Sequence, residues 1–401
     1  MPHKRIRVLM FGWELPPFNS GGLGVACYGL GKALSEKGVD ITFVLPRKVA
    51  VDNDFMRIIF ASDVKAFPKV WKYQLTYTFP ALYKHLQNKN MGNEQLSSLL
   101  EEVEYYAAAA ELIAQQEDFD IIHAHDWLSF PAAMKAQEIS GKPFVSHIHA
   151  TELDRTGNSG NQDIYDIEKE GMQYSDKVVA VSNLTKNIIV DNYEIPSSKV
   201  AVVHNGVELT DETLPEKMFE LKKDNKIVLF VGRLTLQKGP DYFLKAAQKV
   251  LEHEPHVRFV IVGSGDMKER LIRDAIALGI SDKVIFTGFL RDSSLKALYA
   301  AADLFVMPSV SEPFGITGLE SAINGTPVLV SKQSGVSEVL HHALQVDFWD
   351  IDEMTNKILA VISYAALKRT LKKNVAEEAQ QQTWDKSAEK IRDVYRNLLK
   401  R

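Results

Sequence analysis

Two carboxylates and two cations are marked by their positions. Glu312 and Glu320 lie in Pro308-Ser-Val-Ser-Glu312-Pro-Phe-Gly315-Ile316-Thr317-Gly-Leu-Glu320, which follows the apolar run 304–307 and reads as a loop turning into a helix. Gly315, Ile316 and Thr317 open that helix. The first N–H groups of a helix have no intrahelical partner, and the dipole adds positive charge there, so this end can take an anion. Glu320 stands about 7.5 Å beyond Gly315 along the axis. A phosphate site flanked by two carboxylates suits a long ligand, one carboxylate accepting hydroxyls of a sugar and the other those of a ribose. Arg233 and Lys238 lie in Gly232-Arg233-Leu-Thr-Leu-Gln-Lys238-Gly239, after the run 227–231. The guanidinium can fork onto phosphate oxygens and the ammonium adds a point charge. Two cations offset a diphosphate without a metal. Glutamate pairs and basic residues are commonplace on solvated faces; their place after buried strands, beside glycine-rich turns, assigns them here.

The N-terminal half carries a second glycine loop, Trp13-Glu14-Leu-Pro-Pro-Phe-Asn19-Ser-Gly21-Gly22-Leu-Gly24. Gly21 and Gly22 let backbone approach a phosphate, and a helix begins near Gly22. Two His-x-His pairs follow, His123/His125 before Asp126 and His147/His149 before Thr151. Residues two apart share a strand face. A zinc site is conceivable there, but no cysteine or carboxylate spacing completes it, and no metal is expected. His123 and His147 read as core histidines. His125 and Asp126, at a strand end, read as acceptor contacts, and Arg155 as a contact to phosphate or acceptor. The Asp-x-Asp pairs at 52/54, 118/120 and 350/352 read as surface turns. Gly263-Ser-Gly265 and Gly288-Phe289-Leu290, each after an apolar run, read at minimum as turns.

Residues 64–89 differ in kind. Lysines 65, 69, 72, 84 and 89 alternate with aromatic residues, among them Trp71 and Tyr73. Either an amphipathic insertion covers the domain, or the rings stack on acceptor sugars while the lysines meet anionic groups.

The elements that must position these residues follow from short apolar runs at 6–11, 41–45, 121–123, 144–148, 178–181, 200–203, 227–231, 257–262, 284–286, 304–307 and 328–330. Such runs suit strands buried on both faces. Helical stretches separate many of them; 22–37 repeats its apolar residues every 3.6 positions, and Gly38 follows as a stop signal. Alternation of strand and helix implies doubly wound α/β sheets. The series restarts after the polar stretch 205–225. The expected domains are 1–205, 206–374 and a helical segment 375–401 that packs back on the first.

With 401 residues and a net charge of −5, the chain has no general case for nucleic-acid binding. A single cysteine, Cys27, excludes an intrachain disulfide and suits a reducing cytoplasm. No stretch approaches the ~18 apolar residues of a membrane span, which leaves peripheral membrane contact open.

The Glu-x7-Glu pair, the Gly-Arg-x4-Lys-Gly element and the Gly21–Gly22 loop together resemble retaining glycosyltransferase family 4, glycosyl transferases group one, over essentially the whole chain. The resemblance implies the GT-B fold, two Rossmann-like domains facing across a cleft, and transfer of a hexose from a nucleotide-diphosphate sugar to a carbohydrate or lipid-linked acceptor. It implies no cofactor; the donor is a UDP-sugar by preference, with ADP- or GDP-sugars as alternatives. It makes His149 the histidine that contacts the transferred sugar, brings Gly263 and Leu290 to the nucleotide, and assigns leaving-group stabilisation to Arg233 and Lys238, with Glu312 beside the reacting sugar. A distant similarity to glycogen and starch synthases is weakened at two places: Asn19 stands where those enzymes have lysine, and Glu320 is a glutamate that the bacterial ones usually lack. An epimerase or phosphorylase of the same fold and a non-catalytic sugar-nucleotide binder are the other readings. No lysine is marked as a pyridoxal phosphate anchor.

Overall fold

The computed structural model describes residues 5–18, 21–51, 53–64, 94–157, 160–208 and 225–400. These form two compact units, residues 1–205 with 384–401, and residues 206–383. Each is built on one parallel sheet.

The sheet of unit 1 contains β1 (Ile6–Phe11), β2 (Val39–Leu45), β3 (Arg57–Phe60), β4 (Ile121–His125), β5 (Phe144–Ile148), β6 (Lys177–Ala180) and β7 (Val200–Val202), in the spatial order β3-β2-β1-β4-β5-β6-β7. Alternation along a strand sorts its side chains between two cores. Leu9 and Phe11 of β1 join a cluster with Ile122 and Ala124, covered by α2 (Glu94–Gln116) and α3 (Phe130–Ser140). Val8 and Met10 face the other way, into a cluster with Cys27, Leu30 and Leu34 of α1 (Gly22–Glu36) and Ile391 and Tyr395 of α13 (Trp384–Leu399). Burying each such Leu, Val, Met or Phe contributes about 1.5–3 kcal/mol. The helix 384–399 therefore belongs to the core of unit 1. Gly29 makes room for it: a Cβ there would stand 2.4 Å from the Trp384 ring.

Between β5 and β6 lie α4 (Glu152–Thr156) and α5 (Gln162–Tyr174), and α6 (Asn183–Tyr193) precedes β7. The capping box of Thr151 and Asp154 starts α4, and Asn161 caps α5.

Unit 2 holds β8 (Lys226–Val231), β9 (Val257–Val262), β10 (Val284–Gly288), β11 (Leu304–Met307), β12 (Val328–Ser331) and β13 (Leu344–Val346), in the order β10-β9-β8-β11-β12-β13. Its helices are α7 (Pro240–Leu251), α8 (Lys268–Ala277), α9 (Asp292–Ala301), α10 (Ile316–Ile323), α11 (Ile351–Ser363) and α12 (Ala365–Gln380). Among the described residues no helix is long and apolar enough to cross a membrane.

Two strands had no counterpart in the sequence reading, β3 and β13. Each is an edge strand paired on one side only, so its residues are mostly half-buried and no continuous apolar run marks it.

Candidate functional site

Both sheets reverse their strand order beside their first strand, between β1 and β4 in unit 1 and between β8 and β11 in unit 2. Open parallel sheets bind ligands beyond the carboxyl ends of the strands at such a point. The loops that leave β1, β4, β8 and β11 there carry Gly21–Gly22, His125–Asp126, Arg233–Lys238 and Glu312–Gly315 respectively.

In unit 2, β8 runs into Gly232 and Arg233, then a single tight turn, Leu236–Lys238, which ends on Gly239 in the left-handed region at φ 65°. A Cβ at Gly239 would stand 2.1 Å from the Pro308 carbonyl oxygen, so the loops after β8 and β11 meet backbone to backbone. Lys238 is thereby brought to Glu312, and its Nζ donates to Glu312 Oε2 at 2.7 Å. Ser309 Oγ donates to the same oxygen at 3.2 Å. The Glu312 backbone is pinned too: its N–H donates to the Gln333 carbonyl at 2.9 Å, and its carbonyl accepts from Gly335 N–H at 2.9 Å. Arg233 is exposed, and its guanidinium has no ion pair among the described residues.

Gly315 starts α10 from φ 104°, ψ 60°, and no side chain caps the helix. The first-turn N–H groups, which include those of Ile316 and Thr317, are thus left for a ligand or water. Glu320 is half-buried on α10, and Tyr299 Oη donates to its Oε2 at 3.0 Å. Burial raises the Glu320 carboxyl above its ordinary range, partly opposed by the Tyr299 hydrogen bond and by Lys296.

Gly263 carries a structural demand of its own. At φ 133°, with a virtual Cβ 1.9 Å from the Gly232 carbonyl oxygen, no other residue fits. Gly232 N–H donates to Val262 O at 3.0 Å and Gly263 N–H to Gly288 O at 2.8 Å, which stitches together the ends of β8, β9 and β10. Leu290 follows, half-buried, beside the Phe289 ring, over which the Arg291 guanidinium lies at 4.8 Å.

In unit 1, α1 starts at Gly22 with Gly21 as its cap, and Gly24 N–H donates to Glu14 Oε1 at 3.1 Å. Pairing sets His125 against His147. His123 is used at both ring nitrogens, by Tyr395 Oη at 2.5 Å and by His147 Nδ1 at 3.2 Å. Burial lowers its pKa to about 3, so it stays neutral. His125, fully buried, meets His149 Nε2 through Nδ1 at 2.9 Å. His149 is half-buried, just past the end of β5, and burial lowers its pKa against an opposing pull from Asp126.

Asp126 sits at φ 59°, an uncommon conformation for a non-glycine residue. Its Oδ1 accepts from His149 N–H at 2.7 Å, so it holds the backbone of that histidine. Arg155, read from sequence as a ligand contact, is engaged inside the unit: NH1 donates to Glu168 Oε1 at 3.0 Å and NH2 to the Ala150 carbonyl at 2.8 Å. Asp120 is a structural tie rather than a surface turn, since it accepts from the Arg7 backbone N–H at 3.1 Å and from its side chain.

Sequence reasoning did not find Tyr299, Ser309 or Cys27. Ser309 lies in the Glu312 loop and could have been found from it. Tyr299 and Cys27 reach their partners only through tertiary packing. Cys27 Sγ and one nitrogen each of His125 and His149 lie within 4.8 Å of one another, so the fold supplies the cysteine that sequence spacing did not. Trp71 and Tyr73, with most of the 64–89 segment and Asn19, lie outside the described residues.

Residues 20–211 match the family model "Glycosyltransferase Family 4", and residues 213–392 match "Glycosyl transferases group 1". The chain is 30% identical to the uncharacterized glycosyltransferase MJ1607 of Methanocaldococcus jannaschii, over 98% of each chain. It superposes on sucrose-phosphate synthase from Thermosynechococcus elongatus with a TM-score of 0.78 at 21% identity, covering 98% of this chain and 99% of the other. It superposes on Anabaena Alr3699/HepE in complex with UDP-glucose with a TM-score of 0.73 at 18% identity, covering 97% and 100%. Two parallel α/β units with these loops at their switch points, and a relative matched from end to end, make this chain a GT-B glycosyltransferase of family 4, glycosyl transferases group 1.

Proposed function

We propose that the chain transfers a hexose from a UDP-sugar to a carbohydrate or lipid-linked acceptor, with retention of the anomeric configuration and without a metal. The observation that carries the donor assignment is the Lys238–Glu312 pair beside the uncapped start of α10. The UDP-glucose bound by the Anabaena fold neighbour supports uridine as the base.

As the bond from the sugar to the β-phosphate breaks, negative charge grows on the leaving oxygens. Arg233, Lys238 and the α10 N–H groups stabilise it, and fixed donors aimed at developing charge are the strongest catalytic device of this type. Lys238 exchanges part of its contact with Glu312 for phosphate. Glu312 is not cast as a nucleophile, because two donors already hold its Oε2. Its role is to accept sugar hydroxyls, and Glu320 accepts those of the ribose. His149, neutral and held by Asp126, contacts the transferred sugar.

The test is turnover of UDP-, GDP- and ADP-glucose with a panel of sugar and lipid-linked acceptors, with the product anomer read by NMR. An inverted product overturns retention. Sugar released or epimerised from donor alone, with no acceptor used, overturns the transferase assignment.

A further inference from the structure

His125, on β4, and His149, just past β5, form a pair whose protons are not pinned. His125 Nδ1 and His149 Nε2 share one hydrogen across 2.9 Å, and His125 Nε2, fully buried, has no hydrogen-bond partner among the described residues. Nothing therefore fixes the tautomer of His125 from its outer side. The shared hydrogen can move to an outer ring nitrogen, leaving two lone pairs converging between neutral rings. Cys27, from α1, lies beside them, its sulfur within 4.8 Å of a nitrogen of each ring. His123 is different, since Tyr395 and His147 use both of its nitrogens.

We propose that Cys27, His125 and His149 form a binding site for Zn²⁺, and that occupation of this site inhibits transfer by withdrawing His149 from the sugar. The inhibition rests on the sugar-contact role proposed for His149; the binding site does not.

One thiolate sulfur and two imidazole nitrogens form a soft-to-borderline donor set. It suits Zn²⁺ rather than Mg²⁺, Mn²⁺ or Ca²⁺, which take oxygen ligands. Three protein ligands leave the fourth tetrahedral position to water. Bonds of about 2.0–2.3 Å place the ligands of one zinc ion roughly 3.3–3.8 Å apart, so side-chain rotations of about an ångström close the set. Burial first, and the carboxylates of Asp126 and Glu14 after it, raise the Cys27 thiol well above its ordinary range, so it stays protonated until a metal displaces the proton, and the same two carboxylates attract a cation. Cys27 and His125 are fully buried while His149 is partly exposed, so the ion enters past His149. The exchange balances: Zn²⁺ displaces the proton of the Cys27 thiol to solvent and takes a lone pair from each neutral ring. No electron transfer is involved.

The probe is Co²⁺ added to the full chain under reducing conditions after EDTA treatment and desalting. One equivalent should produce thiolate-to-cobalt charge-transfer absorption, which Zn²⁺ then abolishes. Zn²⁺ should also inhibit transfer, reversibly on chelation. Cys27→Ala should lose the absorption and weaken zinc inhibition roughly tenfold or more, keeping its metal-free turnover near wild type. Absence of the band from folded wild-type protein overturns the site, whether or not the chain transfers sugar. A band that vanishes in Cys27→Ala, with zinc inhibition unchanged, overturns the inhibitory role. Should Cys27→Ala fail to fold, His125→Gln read by the same absorption takes its place.

Discussion

Lys238 Nζ and Glu312 Oε2 stand 2.7 Å apart, in loops that leave two different strands of the unit 2 sheet, so one residue of the proposed donor site is the counter-charge of another. This distinguishes Lys238 from Arg233, which is exposed. Arg233→Ala and Lys238→Ala should each lower transfer by roughly tenfold or more, since a charge-assisted contact is worth about 1.5–3 kcal/mol. Lys238→Ala should also lower the melting temperature by roughly 2–8 °C, because it leaves a buried carboxylate short of its cation. Arg233→Ala should not. Turnover and thermal melts on both variants check this, and near wild-type turnover in both sinks the assignment.

Glu320 should impose a pH dependence of known sign. Its folded pKa lies above the ordinary value of 4.5 because of burial. The folded state therefore holds this proton to higher pH than the unfolded state does, and stability falls as pH rises from 4.5 through the folded pKa. Glu320→Gln should raise the melting temperature at pH 7, and the gain should vanish below about pH 4.5. The same variant should raise the donor KM and flatten its rise at acid pH. A melting temperature unchanged at both pH values counts against the burial argument.

Gly263→Ala should destabilise unit 2 by more than about 3 kcal/mol, because it combines a forbidden φ with a Cβ driven into backbone. Circular dichroism melts report it. A loss under about 1 kcal/mol would mean that the loops after β8 and β9 can separate cheaply.

Transfer should survive EDTA, since the proposed role of Arg233, Lys238 and the start of α10 is to serve the diphosphate without a metal. A strict requirement for Mn²⁺ or Mg²⁺, restored by adding the metal back, would refute metal independence.

The segment 64–89 should govern acceptor choice. Trp71→Ala with Tyr73→Ala, or Lys69→Glu with Lys72→Glu, should raise the acceptor KM and leave donor hydrolysis unchanged. If transfer and hydrolysis fall together, the segment is scaffold.

What could be read from sequence was what local order encodes. The central strands announced themselves as apolar runs, and β1, β5, β9 and β11 have the boundaries those runs indicated. The opening of α10 at Gly315 was legible because a glycine must begin it. The edge strands β3 and β13 were not, since their half-buried residues leave no run, whereas the edge strands β7 and β10 were. Tyr299 was invisible as a partner of Glu320 because they lie on two helices, α9 and α10, with β11 and its loop between them. Cys27 was invisible beside His125 because only the parallel order of β1 and β4 brings α1 over that histidine. The partners of Arg155 were hidden for a related reason: an arginine six residues past His149 looks available in sequence, and only the fold brings Glu168 to it.

Gly29 and Trp384 have a consequence for synthesis. The helix that completes the core beneath β1 and β4 is encoded after all of unit 2. On the ribosome, residues 206–383 emerge as a continuous stretch and can fold as soon as they clear the exit tunnel. The first 205 residues, made earlier, have one face of their sheet covered only in part, by α1, until Trp384 arrives to fill the notch at Gly29. The nascent chain can therefore complete its second unit before its first, and the uncovered part of that face is the surface that chaperones would meet during that interval.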